Sequence, residues 1–131
     1  MAVGAILSLF VLAMPVACVA WTITHEELFR EPREWCRRKS ASSRSLVARK
    51  FFYVFTCEYC FSHYVAACVL ATTPVALVDP GWRGRVFAWF SLVWIANVYM
   101  SAFGRLRLEI KQERTEIELE ERQLKALSKR R

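Results

Sequence analysis

Residues 59–78 read YCFSHYVAACVLATTPVALV, twenty positions without a fixed charge, in which only His63 can gain one near neutrality. A helix advances about 1.5 Å per residue, so a run of this length covers the roughly 30 Å of hydrocarbon in a bilayer. Two other runs have the same character: 2–23, with 22 residues and no charge, and 86–103, with 18 and none. The sequence therefore predicts an all-α fold class with three transmembrane helices, crossing at about 2–23, 59–78 and 86–103.

The rest of the chain is very different. Hydrophobic residues make up 55% of the 131 positions and charged residues 24%, a mixture that suits blocks better than one evenly patterned globule. Of the 19 Lys and Arg, eight lie in 24–50 and nine in 104–131, which leaves Arg83 and Arg85 in the short turn after Asp79. By the positive-inside rule both basic segments are cytosolic, and the N-terminus and the 79–85 turn lie outside. The expected location is the bacterial inner (cytoplasmic) membrane, multi-pass. The expected domains are a three-helix membrane domain, 1–103, including a cytosolic amphipathic segment at 24–50, and a long charged cytosolic helix, 104–131. The net charge of +7 reads as orientation and attraction to anionic membrane lipid, with no nucleic-acid partner expected.

An export signal normally opens on positive residues, and 1–10 holds no Lys or Arg, so the first helix is expected to be retained. A lipoprotein site at Cys18 is disfavoured by Pro15, which stands where an aliphatic residue belongs. Of five cysteines, Cys18 and Cys68 fall inside predicted helices, and Cys36, Cys57 and Cys60 on or near the cytosolic side. That distribution does not suggest a disulfide framework.

Between the first two crossings, Thr24 and Glu27 have the spacing of a capping box that starts a short amphipathic helix, with Leu28, Phe29 and Trp35 toward the interface. The serine-rich stretch 39–44 predicts a flexible loop, and 51–55 an aromatic interfacial segment. Asp79, Pro80 and Gly81 form a tight turn. Asn97, a strongly polar side chain inside the third crossing, is expected to bond across to another helix, with a channel-lining role as the alternative. Beyond Gly104, Phe103, Ile110, Ile117 and Leu124 recur every seven residues, but their companions are Leu106, Glu113, Glu120 and Leu127. Pairing with a protein partner or a second copy through 104–131 and a solvated tail are both compatible with that stripe.

Cys57, Cys60 and His63 sit three apart at the start of the second crossing. On a helix they form one slowly drifting stripe, and thiolates and imidazole are ligands that zinc prefers, so these three are the candidate metal residues. A closed zinc site needs a fourth ligand, for which Cys36, His25, Glu58 or a second subunit are the sources. A dithiol reading rests on the lowered thiol pKa near a helix start. The plainer reading makes Cys57 and Cys60 small packing residues, with Ser62 and His63 bonding between helices.

The run from Thr24 through Glu27, Leu28, Phe29, Pro32, Arg33 and Glu34, followed by Phe55 to Val65, resembles a family of small bacterial and phage membrane proteins of unknown function. That family's signature is approximately Cys-Pro-Tyr-Cys-x-Ser-His-Trp. Cys57, Tyr59, Cys60, Ser62 and His63 match it, while Glu58 replaces the Pro and Tyr64 the Trp. The resemblance covers about 20–78 and implies a membrane location and a role for the motif.

The sequence has no Ser-His-Asp set, phosphate-cradling loop or paired carboxylates in an apolar setting, so no enzymatic activity is expected. The leading expectation is a membrane-anchored interaction module without a cofactor. A holin-like self-assembling pore is the second, on layout alone. The third is a metal- or redox-responsive protein using Cys57, Cys60 and His63.

Overall fold

The computed structural model describes residues 2–128. Every regular element among them is helical: α1 (Ala2–His25), a 3-10 turn (Glu27–Phe29), α2 (Arg30–Ser42), α3 (Leu46–Val54), α4 (Glu58–Thr72) and α5 (Trp82–Ser128). Two helices are long and apolar enough to cross a membrane, α1 over Val3–His25 and α5 over Trp82–Leu127. A third candidate is the α3 and α4 pair, bent by 79° at the break between them.

The chain divides into two compact units, Met1–Met100 and Ser101–Arg131. In the first, half of the buried cluster is alanine. Leu9, Ala13, Val16, Ala17 and Ala20 of α1 pack with Ala66 and Leu70 of α4, and with Ala88, Leu92, Val93, Ala96 and Met100 of α5. On α1 the buried positions follow steps of three, four and one, which is one face of a helix. Bulky apolar residues point the other way: Leu7 is 61% exposed, Phe87 60% and Trp94 71%, whereas Ala13 and Ala96 are fully buried. A water-soluble bundle hides its largest apolar groups. Alanines at the helix contacts, beside Leu9, Leu70, Leu92 and Met100, with Trp, Phe and further Leu facing out, suit helices that approach closely in lipid, where the tails are as apolar as leucine.

The first crossing matches α1 within two residues, and Pro15 lies inside the helix without ending it. The second is shorter than expected. Helix α4 has 15 residues and stops at Thr72, two before Pro74, because the residue ahead of a proline is pushed out of the α region. Residues 73–81 are irregular. The chain bends at Asp79, Pro80 and Gly81 as expected, and the bend begins earlier, at Leu77 and Val78. The Asp79 N–H donates to the Leu77 carbonyl at 2.7 Å, and Val78 between them has φ 69°. This is the rarer, strained hand of the γ-turn. Gly84 closes the same turn, donating no side chain: its carbonyl accepts from Leu77 N–H at 3.0 Å, and a Cβ there would overlap the carbonyl oxygens of Asp79 and Leu77.

Thr24 is no helix cap. Its hydroxyl bonds back to the Ala20 carbonyl at 2.7 Å, so α1 continues through the expected capping box to His25, and the next α-helix waits until Arg30. The expected loop at 39–44 shrinks likewise. Helix α2 runs to Ser42, and the Ser40 hydroxyl ties it to the Arg49 carbonyl of α3 at 2.9 Å. Trp35 and Phe52 pack edge to face at 5.4 Å across the same pair.

In the second unit α5 continues without interruption past Gly104, and every side chain from 105 to 127 is exposed. The last three residues of the predicted charged helix, 129–131, lie outside the described residues.

Candidate functional site at the head of helix α4

Cys57 is the residue before the first turn of α4, with extended φ −114° and ψ 111°. Its sulfur accepts the Cys60 N–H at 3.4 Å, the bond that a serine or aspartate oxygen would make at a helix start. The three-residue spacing of the two cysteines is thus the spacing of a cap and the amide it satisfies. Glu58 follows in the first turn, where the helix dipole favours a negative group.

Opposite Glu58 stands the end of α1. His25 Nε2 lies 3.4 Å from Glu58 Oε2, a buried oxygen with no hydrogen-bond partner among the described residues. The distance is within ion-pair reach although the geometry falls short of a hydrogen bond. Two neighbours fix the imidazole. It stacks on Trp21 at 4.0 Å with planes 8° apart, Nδ1 is 2.9 Å from the Thr24 hydroxyl, and Trp21 Nε1 in turn donates to Glu26 at 3.2 Å. Arg33 reaches back from α2 and donates to the carbonyls of Ile23 and Glu26, both at 3.2 Å, satisfying acceptors that the end of α1 leaves open. At the other end of α4, Arg85 does the same for Leu70 at 3.3 Å and Thr73 at 3.1 Å. A cation at each carbonyl end complements the helix dipole.

One turn further into α4, Ser62 and His63 face α5. Asn97 Nδ2 donates to Ser62 Oγ at 3.0 Å and to the Val93 carbonyl at 2.8 Å, while the fully buried Ser62 hydroxyl donates to the Tyr59 carbonyl at 2.8 Å. This relay is the interhelical bond expected of Asn97. Trp89 Nε1 adds a second bond, to the His63 carbonyl at 2.9 Å. The His63 ring itself sits edge-on among Tyr59 at 5.0 Å, Trp89 at 5.4 Å and Phe90 at 6.1 Å.

The candidate zinc residues are therefore on one helix but not gathered into one donor set. Cys57 points to a backbone amide and His63 is held among aromatic rings. Among the described residues no three His, Cys, Asp or Glu groups stand together as a site for a metal ion. Cys36 is buried in α2, and burial pushes its thiol pKa up, which reduces the thiolate available at neutral pH.

The His25 and Glu58 contact escaped the sequence reading, which brought the two together only as sources of a fourth metal ligand. They are 33 positions apart, and the signal was two titratable groups at facing ends of neighbouring apolar runs. Replacing Asn97 by leucine should cost the bundle about 0.6 kcal/mol, and at most about 1.7, as bonds of this kind do in membrane bundles. Unfolding titrations of Asn97→Leu, Ser62→Ala and the double variant would measure the coupling, and full additivity would show that the relay contributes nothing.

The chain matches no protein-family model, no curated protein and no solved structure.

Proposed function

We propose that this protein is a small integral inner-membrane interaction module with three crossings, at about 2–23 in α1, 59–78 over α4 and the connection after it, and 86–103 in α5. In this reading the N-terminus and the 79–85 turn face outward, and the basic segments 24–50 and 104–131 lie in the cytosol beside anionic lipid. The cytosolic stretch of α5 pairs with a protein partner or a further copy, and no catalysis or cofactor is involved. Membership in the family with the Cys-Pro-Tyr-Cys-x-Ser-His-Trp signature belongs to the same proposal, on Cys57, Tyr59, Cys60, Ser62 and His63.

The observation that supports the reading best is the uncovered apolar edge of the second unit. Phe103, Ile110, Ile117 and Leu124 are 47 to 66% exposed at seven-residue intervals along a helix with no core of its own. Exposed apolar stripes of this kind mark interaction surfaces. Reporter fusions behind the last residue and within 79–81, together with in-cell cross-linking from the 104–131 segment, test it. A cytosolic C-terminus, an external turn and a discrete cross-linked complex are expected. Release of the intact chain from washed vesicles, or a periplasmic C-terminus, would refute the anchoring. Growth arrest with collapse of the membrane potential would favour a holin-like pore instead.

A further inference from the structure

Resting on that reading, we propose that the cytosolic part of α5 packs against further copies of this chain, the acidic side of one helix lying along the basic side of the next. Glu109, Glu113, Glu116 and Glu120 follow steps of four, three and four, which confines them to an arc of about 60° at about 100° per residue. Arg107, Lys111, Arg114, Arg122 and Lys125 occupy an arc of about 80° whose centre is about 165° away. All nine side chains are exposed. On one flank between the two arcs lie Leu106, Ile110, Ile117 and Leu124. Three charges depart from the pattern: Glu118 interrupts the basic side, Arg105 borders the acidic side, and Glu121 borders the basic one.

This segregation is unfavourable in a helix alone. From 107 to 120 like charges meet at i, i+4 in Arg107 with Lys111, Glu109 with Glu113 and Glu116 with Glu120, and at i, i+3 in Lys111 with Arg114 and Glu113 with Glu116, against one opposite pair, Arg114 with Glu118. Favourable pairs resume beyond it in Glu118 with Arg122 and Glu121 with Lys125, the latter 3.8 Å apart. Like pairs at these spacings destabilise a solitary helix, and interleaved Glu and Lys would do the reverse. A neighbour relieves the repulsion. Copies anchored in one membrane have parallel segments at one depth, so their residue levels coincide. Along the axis the two stripes then alternate, with Glu109 between the levels of Arg107 and Lys111, and Glu113 and Glu116 on either side of Arg114. Charge complementarity thus selects a second copy in parallel register. Because the two sides are nearly opposite, each helix has a different surface for each neighbour. Such contacts do not close at two copies but continue into a ring or row.

The test uses the full chain in mild detergent, with its mass measured in low and high salt. One variant reverses the acidic side (Glu109→Lys, Glu113→Lys, Glu116→Lys, Glu120→Lys) and another the basic side (Arg107→Glu, Lys111→Glu, Arg114→Glu, Arg122→Glu). Wild type should form assemblies larger than a dimer that weaken in high salt. Either variant alone should associate about tenfold less tightly, and an equal mixture of the two should recover assembly. Since Lys and Glu are both good helix formers, a folding defect would not be rescued by mixing. Wild-type assemblies indifferent to salt and to both reversals would overturn the charge pairing while leaving the anchored module intact. A wild-type chain that cross-links only to a different protein would do the same. A chain that is single-copy and partnerless in cells would sink both.

Discussion

Replacing Gly84 by alanine is expected to lower the stability of the helical bundle by roughly 2–3 kcal/mol, as overpacking against rigid neighbours does. The atoms in the way are the carbonyl oxygens of Asp79 and Leu77, so no side-chain rotation can relieve the overlap. The turn must open instead. Opening it breaks the Leu77 to Gly84 hydrogen bond and loosens the start of α5 beside Arg85, whose guanidinium caps α4. Thermal unfolding in detergent followed by tryptophan fluorescence, with proteolysis at the 73–81 connection, would measure the effect. A Gly84→Ala variant as stable as the wild type would mean that the turn does not pack in this way.

The second large effect is expected from Ala96→Leu. Ala96 is fully buried where α5 meets the small residues of α1 and α4, and three added carbons must push the helices apart. A loss of about 1–3 kcal/mol follows if the backbones are as close as the methyl-sized seam implies. Val98→Leu supplies the contrast. Val98 is 52% exposed, so enlarging it should change stability by less than about 0.5 kcal/mol. Equal responses at the two positions would contradict the orientation of α5.

The fold was legible where the signal is a simple run of composition. Uncharged stretches located α1 and the apolar part of α5, because hydrocarbon admits no other residues over that distance. Shorter signals failed in physically specific ways. Thr24 has the right neighbours for a cap, but a threonine hydroxyl can also bond back into its own helix, and here α1 keeps it. The apolar run 59–78 does not distinguish a helix from an extended apolar connection, so the stop at Thr72 was visible only through Pro74. In the candidate site, Asn97 was legible because a polar amide in an apolar run must find a partner. Its partner Ser62 and the facing of His25 to Glu58 depend on how helices pack, which one sequence does not encode locally. The cysteine spacing was conspicuous but ambiguous, since caps, metal half-sites and dithiols all use a separation of three.

The alanine-lined seam also affects how the bundle responds to heat. Alanine has no rotamers to lose, so docking Ala13, Ala17, Ala20, Ala66, Ala88 and Ala96 freezes almost no side-chain freedom. Leu9, Leu92 and Met100 are docked beside them, whereas Leu7, Phe10, Met14, Phe87 and Phe90 face outward and keep much of theirs. Because little entropy is spent at the seam, its close contacts should weaken only gradually on warming, and the outer shell should soften first.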